Sequence, residues 1–183
     1  MKKLGVIIVS CFVALAIHAQ AKHLKFMGIP LNGTITQFQA KLMGKGAVPD
    51  SKTNQTTPVG CRVFNGTFSG EEATIFVYYN SKTKIVYRAK AVIPGPRLEW
   101  VKDKLIYYKK LLNEKYIYSE GDDYEQEGHP AYILYVSDDE EDYLGTIALY
   151  ITDAKYGADY ALHLDYEDDA NTDANKSKNM DDL

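Results

Sequence analysis

The chain has 183 residues, 45% of them hydrophobic, with 21 Lys or Arg against 25 Asp or Glu. That length supports one domain, or two tightly joined subdomains, around a real core. A net charge of -4 without a basic motif run argues against a nucleic-acid binder.

Residues 1–20 read as a secretory signal peptide: Lys2 and Lys3, an apolar run from Leu4 to Ile17, then the small residues Ala16 and Ala19 before the cut. The expected product is periplasmic or secreted. Ile8-Val9-Ser10-Cys11 resembles a lipoprotein signal, but the apolar run continues past Cys11, so the unlipidated form is expected. No later stretch approaches the ~20 apolar residues of a spanning helix. After cleavage Cys61 is the one cysteine left, which excludes an intramolecular disulfide and leaves stability to packing.

His23 to Gly28 reads as a short strand and Ile29 to Gly33 as a turn. Thr34 and Gln37 have capping-box spacing, Ile35, Phe38 and Leu42 form a helical stripe, and Gly46 is the stop. Ala47 to Gly60, with Pro49 and Pro58, reads as a loop. Three strands follow, Cys61 to Phe68, Ala73 to Tyr79 and Lys84 to Ile93, joined by turns short enough to make them antiparallel. In the last, Ile85, Tyr87, Ala89, Ala91 and Ile93 are expected inside, and Lys84, Val86, Arg88 and Lys90 on a wet, basic face.

Pro96 to Tyr118 predicts a longer helix with Gly95 and Pro96 at its start. Leu98, Val101, Leu105, Tyr108 and Leu112 make one apolar line, and Trp100, Tyr107 and Leu111 a second. Ser119 to Pro130 reads as an acidic loop. Three further strands are expected at Ala131 to Ser137, Tyr143 to Thr152 and Asp159 to Tyr166. In the last of these Tyr160, Leu162, Leu164 and Tyr166 oppose Asp159, Ala161, His163 and Asp165. Residues 167–183 are polar and expected to be a disordered acidic tail.

The order helix, polar loop, three strands occurs twice. The expected fold is α+β: a tandem duplication of an αβββ unit, residues 21–95 and 96–166, forming one curved antiparallel sheet with helices packed on one face. Charge is divided between the halves, with ten basic residues against three acidic ones over 21–95, and one against thirteen over 119–166. A basic ligand steered to the acidic half is one reading of that division.

Recognisable chemistry is sparse. Asp138 to Asp142 (DDEED) offers carboxylate oxygens but lacks the alternating spacing of a calcium loop, so a solvated hairpin turn is expected and no metal. His23, His129 and His163 form no ligand motif, and no cofactor is implied. His163 beside Asp159 and Asp165 has no serine or cysteine in a nucleophile motif with it. Cys61 heads an apolar strand and reads as a buried thiol. The fifteen tyrosines are more suggestive. Tyr87, Tyr108, Tyr160 and Tyr166 fall in core phase. Tyr78 or Tyr79, Tyr124, Tyr143 and Tyr156 fall at edges and turns, as on protein-binding or sugar-stacking surfaces.

The segment LKFMGIPLNGTITQFQAKLMGKG, Leu24 to Gly46, resembles the start of uncharacterised secreted proteins of Gram-negative bacteria. The doubled helix-and-sheet order is similar to the β-lactamase-inhibitor-protein-like fold and its periplasmic PepSY-like relatives. The resemblance implies a fold and no functional residues. The expected function is therefore a non-catalytic exported binding module for a protein, peptide or glycan in the cell envelope. Its open sheet face would carry Lys84, Arg88, Lys90, Tyr143, Asp159, His163 and Asp165. A hydrolase acting on glycans or peptides is the alternative.

Overall fold

A computed structural model describes residues 22–153 and 159–180. The expected signal peptide with Cys11, and Tyr156, lie outside the described residues. At the start, β1 (Lys25–Phe26) and β2 (Ile29–Pro30) form a two-stranded ribbon that turns at Met27 and Gly28, both at positive φ. α1 (Ile35–Gly44) begins with the expected capping box. The Thr34 hydroxyl accepts from the Gln37 amide, and the Gln37 side chain accepts from the Thr34 amide. Ile35, Phe38 and Leu42 are buried, and Gly46, at φ +91°, follows the cap.

The segment expected as a loop contains two short elements. β3 (Val48–Pro49) pairs with the next strand, and α2 (Ser51–Asn54) is capped by Asp50, whose side chain accepts from the Thr53 amide. Asn54 imitates a strand neighbour: its side chain accepts from the Val63 amide and donates to the Val63 carbonyl, both at 2.8 Å. β4 (Cys61–Phe68), β5 (Glu71–Tyr79) and β6 (Val86–Gly95) then form a meander.

α3 (Leu98–Lys115) starts two residues later than the sequence suggests, because Gly95 ends β6 and Arg97 is the cap, without a side-chain cap bond. Its first apolar line is buried at Val101, Leu105, Tyr108 and Leu112. In the second line Trp100 and Leu111 pack partly against the core while Tyr107 is exposed. Trp100 and Val101 lie directly on the Gly95 backbone, leaving no room for a Cβ there.

β7 (Glu120–Gln126), β8 (His129–Ser137), β9 (Tyr143–Asp153) and β10 (Tyr160–Asp168) complete one eight-stranded sheet in the order β3-β4-β5-β6-β10-β9-β8-β7, antiparallel throughout. On one face Ile75, Val77, Ala89, Ala91, Ile93, Leu162, Leu164, Ile147, Leu149 and Leu134 form a single core with the stripes of α1 and α3. Each fully buried aliphatic side chain contributes roughly 2 kcal/mol, so this face carries most of the stability.

Three departures from the sequence reading have local causes. β7 replaces an expected acidic loop. Its core-side phase holds Glu125 and, facing the core residues Leu134 and Tyr132, Gly121, which makes room for the Tyr132 ring, and Asp123, which pairs with Lys109 at 2.6 Å. None of the three is a large apolar residue, so the alternation that marks a strand is missing. Next, a bulge between Tyr78 and Tyr79 reverses the phase at the start of β6: Val86 is buried and Tyr87 half-buried, the opposite of expectation.

Finally, the expected disordered tail extends β10 to Asp168 and forms α4 (Asp169–Met180). Its docking is polar. Asn171 donates to the Leu31 carbonyl at 2.5 Å, Asn80 donates to the Asn175 side chain at 2.5 Å, and Thr172 is buried. A composition without aromatics conceals that kind of packing.

Candidate functional site

The second face of the sheet is built by the residues that alternate with the core. Strand register arranges them in three rows. The first is Tyr78, Arg88, Glu167, Thr146 and Tyr135; the second Phe76, Lys90, Asp165, Ala148 and Ile133; the third Thr74, Val92, His163, Tyr150 and Ala131. Most of these side chains are partly exposed, so the face is polar and aromatic.

At its centre Arg88 crosses from its own row to Asp165. Nε donates to Oδ1 at 2.8 Å and a terminal nitrogen to Oδ2 at 2.5 Å, the fork geometry that suits guanidinium and carboxylate. The Tyr150 hydroxyl approaches the same carboxylate at 3.4 Å. The guanidinium also stands 5.0 Å from the Tyr78 ring centre. Hydrogen bonding to Asp165 outweighs burial and raises the Arg88 pKa, so the cation is permanent. Burial pushes the Tyr78 phenol up to about 12 and raises that of Tyr150, so both rings remain neutral hydroxyl donors.

Lys90 behaves differently. Its ammonium stands 5.4 Å from the Phe76 ring centre, and no carboxylate lies within ion-pair distance among the described residues. Burial lowers its pKa, opposed by the charge of Asp165.

His163 stacks on Tyr150, with ring centres 4.5 Å apart and planes 7° from parallel. Its Nε2 meets the Thr152 hydroxyl at 2.9 Å, and its Nδ1 is buried without a hydrogen-bond partner among the described residues. Burial, followed by the Lys90 charge, depresses its pKa to about 4, so the imidazole is neutral at physiological pH.

The ion pair separates two recesses. One, of about 610 Å³, lies against the β4–β6 half and is lined by Phe76, Tyr78, Tyr87, Cys61 and Val59. The other, of about 350 Å³, lies on the β7–β10 half between Tyr124, Ile133, Tyr150 and Asp165. Cys61 is half-exposed at the first recess rather than buried. Desolvation raises its pKa despite Lys90 and Arg88 nearby, so it is a thiol.

Of the residues singled out from the sequence, Arg88, Lys90, His163 and Asp165 come together. Lys84 sits before the β6 bulge at φ +64°, with its ammonium on the Ser81 carbonyl at 2.5 Å and near the ring of Tyr79, a residue of the core face. It does not join Arg88 and Lys90. Tyr143 is exposed at the start of β9, and its phenol pKa is raised by partial burial and then by Asp169 of α4. Asp159 is exposed just before β10, with no bond to His163 among the described residues. The sequence reading missed Tyr150 and Phe76, and offered Tyr78 only as an alternative to Tyr79 at an edge or turn. Their strands alternate cleanly, and carrying that phase across the register would have found them.

No protein-family model, curated protein or solved structure matches this chain.

The acidic turn after β8 brings carboxylates of Asp138, Glu140 and Asp142 within 4.8 Å of one another. Lys22 reaches into it, with its ammonium 2.7 Å from Asp138 and 2.8 Å from Glu140, which raises the lysine pKa. Asp138 also accepts from the amides of Glu140 and Asp142. A protein cation thus satisfies the turn. Lys22 to Asp138 and Arg88 to Asp165 both join a base of the first half to an acid of the second, so part of the uneven charge is spent within the molecule.

Proposed function

We propose that the protein is an exported, non-catalytic binding module that holds its ligand across the open sheet face. The observation that carries this reading is the central Arg88–Asp165 pair, flanked by partly exposed Tyr78, Phe76 and Tyr150 with a recess on either side. A fixed ion pair between aromatic platforms gives orientation by hydrogen bonding and affinity by ring contact. Lys90, with no carboxylate partner among the described residues, favours a ligand with an anionic or carbonyl group beside an apolar or saccharide ring.

The alternative from the sequence, a hydrolase, draws on the 2.9 Å contact between Thr152 and His163. That geometry lacks a carboxylate at the partnerless Nδ1 to orient the ring, so binding is the better supported reading. We also infer that the chain arose by duplication of a helix-and-sheet unit, each half carrying four strands of the sheet where the sequence reading expected three. Support comes from the strand order, which runs β6-β5-β4-β3 outward from the centre on one side and β10-β9-β8-β7 on the other. The periplasmic or secreted location rests on residues 1–20.

The test is nuclear magnetic resonance titration of the isotope-labelled mature protein with three probes: a chitin tetrasaccharide, a neutral tripeptide and an acidic tripeptide. The reading expects one probe to shift Tyr78, Arg88 and Tyr150, and Tyr78→Ala to weaken it about tenfold. Shifts confined to other surfaces with all three would refute it.

A further inference from the structure

We propose that β7 is a docking edge to which an extended, lysine- or arginine-rich segment of another protein adds as a further antiparallel strand. The sheet has two edges of different character. β3, at one end, offers two residues, one of them Pro49, with α2 following directly, and proline has no amide to donate. β7, at the other, offers seven residues without proline and pairs only with β8 among the described residues. Glu120 through Glu125 are all exposed, so nothing described covers the outer row of amides and carbonyls. At ~3.3 Å per residue the free edge is about 23 Å long, ample for strand addition.

Charge selects the occupant. Glu120, Asp122, Asp123 and Glu125 fall on the strand and Glu127 follows it, with no lysine or arginine among them. Asp123 alone of these has an ion-pair partner among the described residues, Lys109. Two such strands side by side would oppose like charges, so self-pairing is disfavoured, and the same carboxylates attract a basic guest. At the start of β7, exposed Ile117, Tyr118 and Tyr135 surround a recess of about 480 Å³. An antiparallel guest brings its C-terminal end there, so one apolar side chain near that end completes the match.

The edge borders the open face at Tyr124 and Tyr135, but the test reads the outer backbone of β7 away from Arg88 and Tyr78, so either reading stands if the other fails. The probe is an end-blocked heptapeptide of alternating lysine and valine ending in phenylalanine, added to the labelled mature protein. Expected are slowed amide exchange along 120–126, shifts at Ile117 and Tyr118, and binding that weakens with salt. Asp122→Lys with Glu125→Lys, both exposed positions, is expected to weaken binding about tenfold without changing thermal stability. The same peptide N-methylated at alternate residues is expected not to bind. The proposal is overturned by equal binding of the methylated peptide, which would mean charge attraction alone. Shifts on the open face instead of β7, or no binding at all, would overturn it too.

Discussion

Asp168→Ala removes one carboxylate on which three parts of the chain depend. Asp168 is wholly buried at the end of β10. It accepts from the Leu24 amide at 2.9 Å and from the Asn171 amide at 3.1 Å, and both oxygens lie 3.1 Å from His23 Nδ1. Alanine therefore strands a buried amide before β1, at about 1–3 kcal/mol, and uncaps the first turn of α4, at about 1 kcal/mol. It also leaves a half-buried imidazole without its acceptor. These losses share one site and do not simply add, so the expected destabilisation is about 3 kcal/mol. Urea unfolding followed by circular dichroism measures it as a lower midpoint at unchanged slope. Asp168→Asn keeps one acceptor oxygen but turns an amide NH₂ toward a donor, and about 2 kcal/mol is expected. A loss below about 0.5 kcal/mol for alanine, with Leu24 amide exchange still protected, would mean that the carboxylate does not join these segments.

Gly145 sits at φ +141°, where an added Cβ would overlap the Glu167 carbonyl oxygen, so Gly145→Ala is expected to cost about 3 kcal/mol by thermal or urea unfolding. A double-mutant cycle with Arg88→Met and Asp165→Asn is expected to give a coupling of about 2 kcal/mol, between the values for exposed and buried pairs, because Asp165 is buried and Arg88 only partly so. Coupling near zero would show that the fork does not persist in solution. His163 titrates near 4 when folded and near 6.5 when unfolded. The unfolded chain binds the proton first, so the contribution of neutral His163 is complete above pH 6.5 and is lost as pH falls toward 4. Urea midpoints of His163→Gln across that window are expected to fall less steeply than those of the wild type.

Where side chains follow a simple period, the sequence is enough. The capping box at Thr34 and Gln37, the buried line of α3 and the alternation of β5, β9 and β10 are local consequences of which residues stand two, three or four apart. Those phases also place Arg88, Lys90, His163 and Asp165 on one face, so half of the candidate site is legible in the order of residues. β7 and α4 are not, because the neighbours that hold them are distant in sequence: Tyr132 filling the space over Gly121, and Leu31, Asn80 and Asp168 bonding a polar helix.

Amino-acid order alone determined the pattern of buried stripes and the division of charge between the halves. Tertiary structure alone decided that β6 lies beside β10. That adjacency sets Arg88 against Asp165 across 77 positions of chain, and it makes β7 an outer edge. Strand pairing in a sheet is set by how the whole core closes, and no local period encodes it.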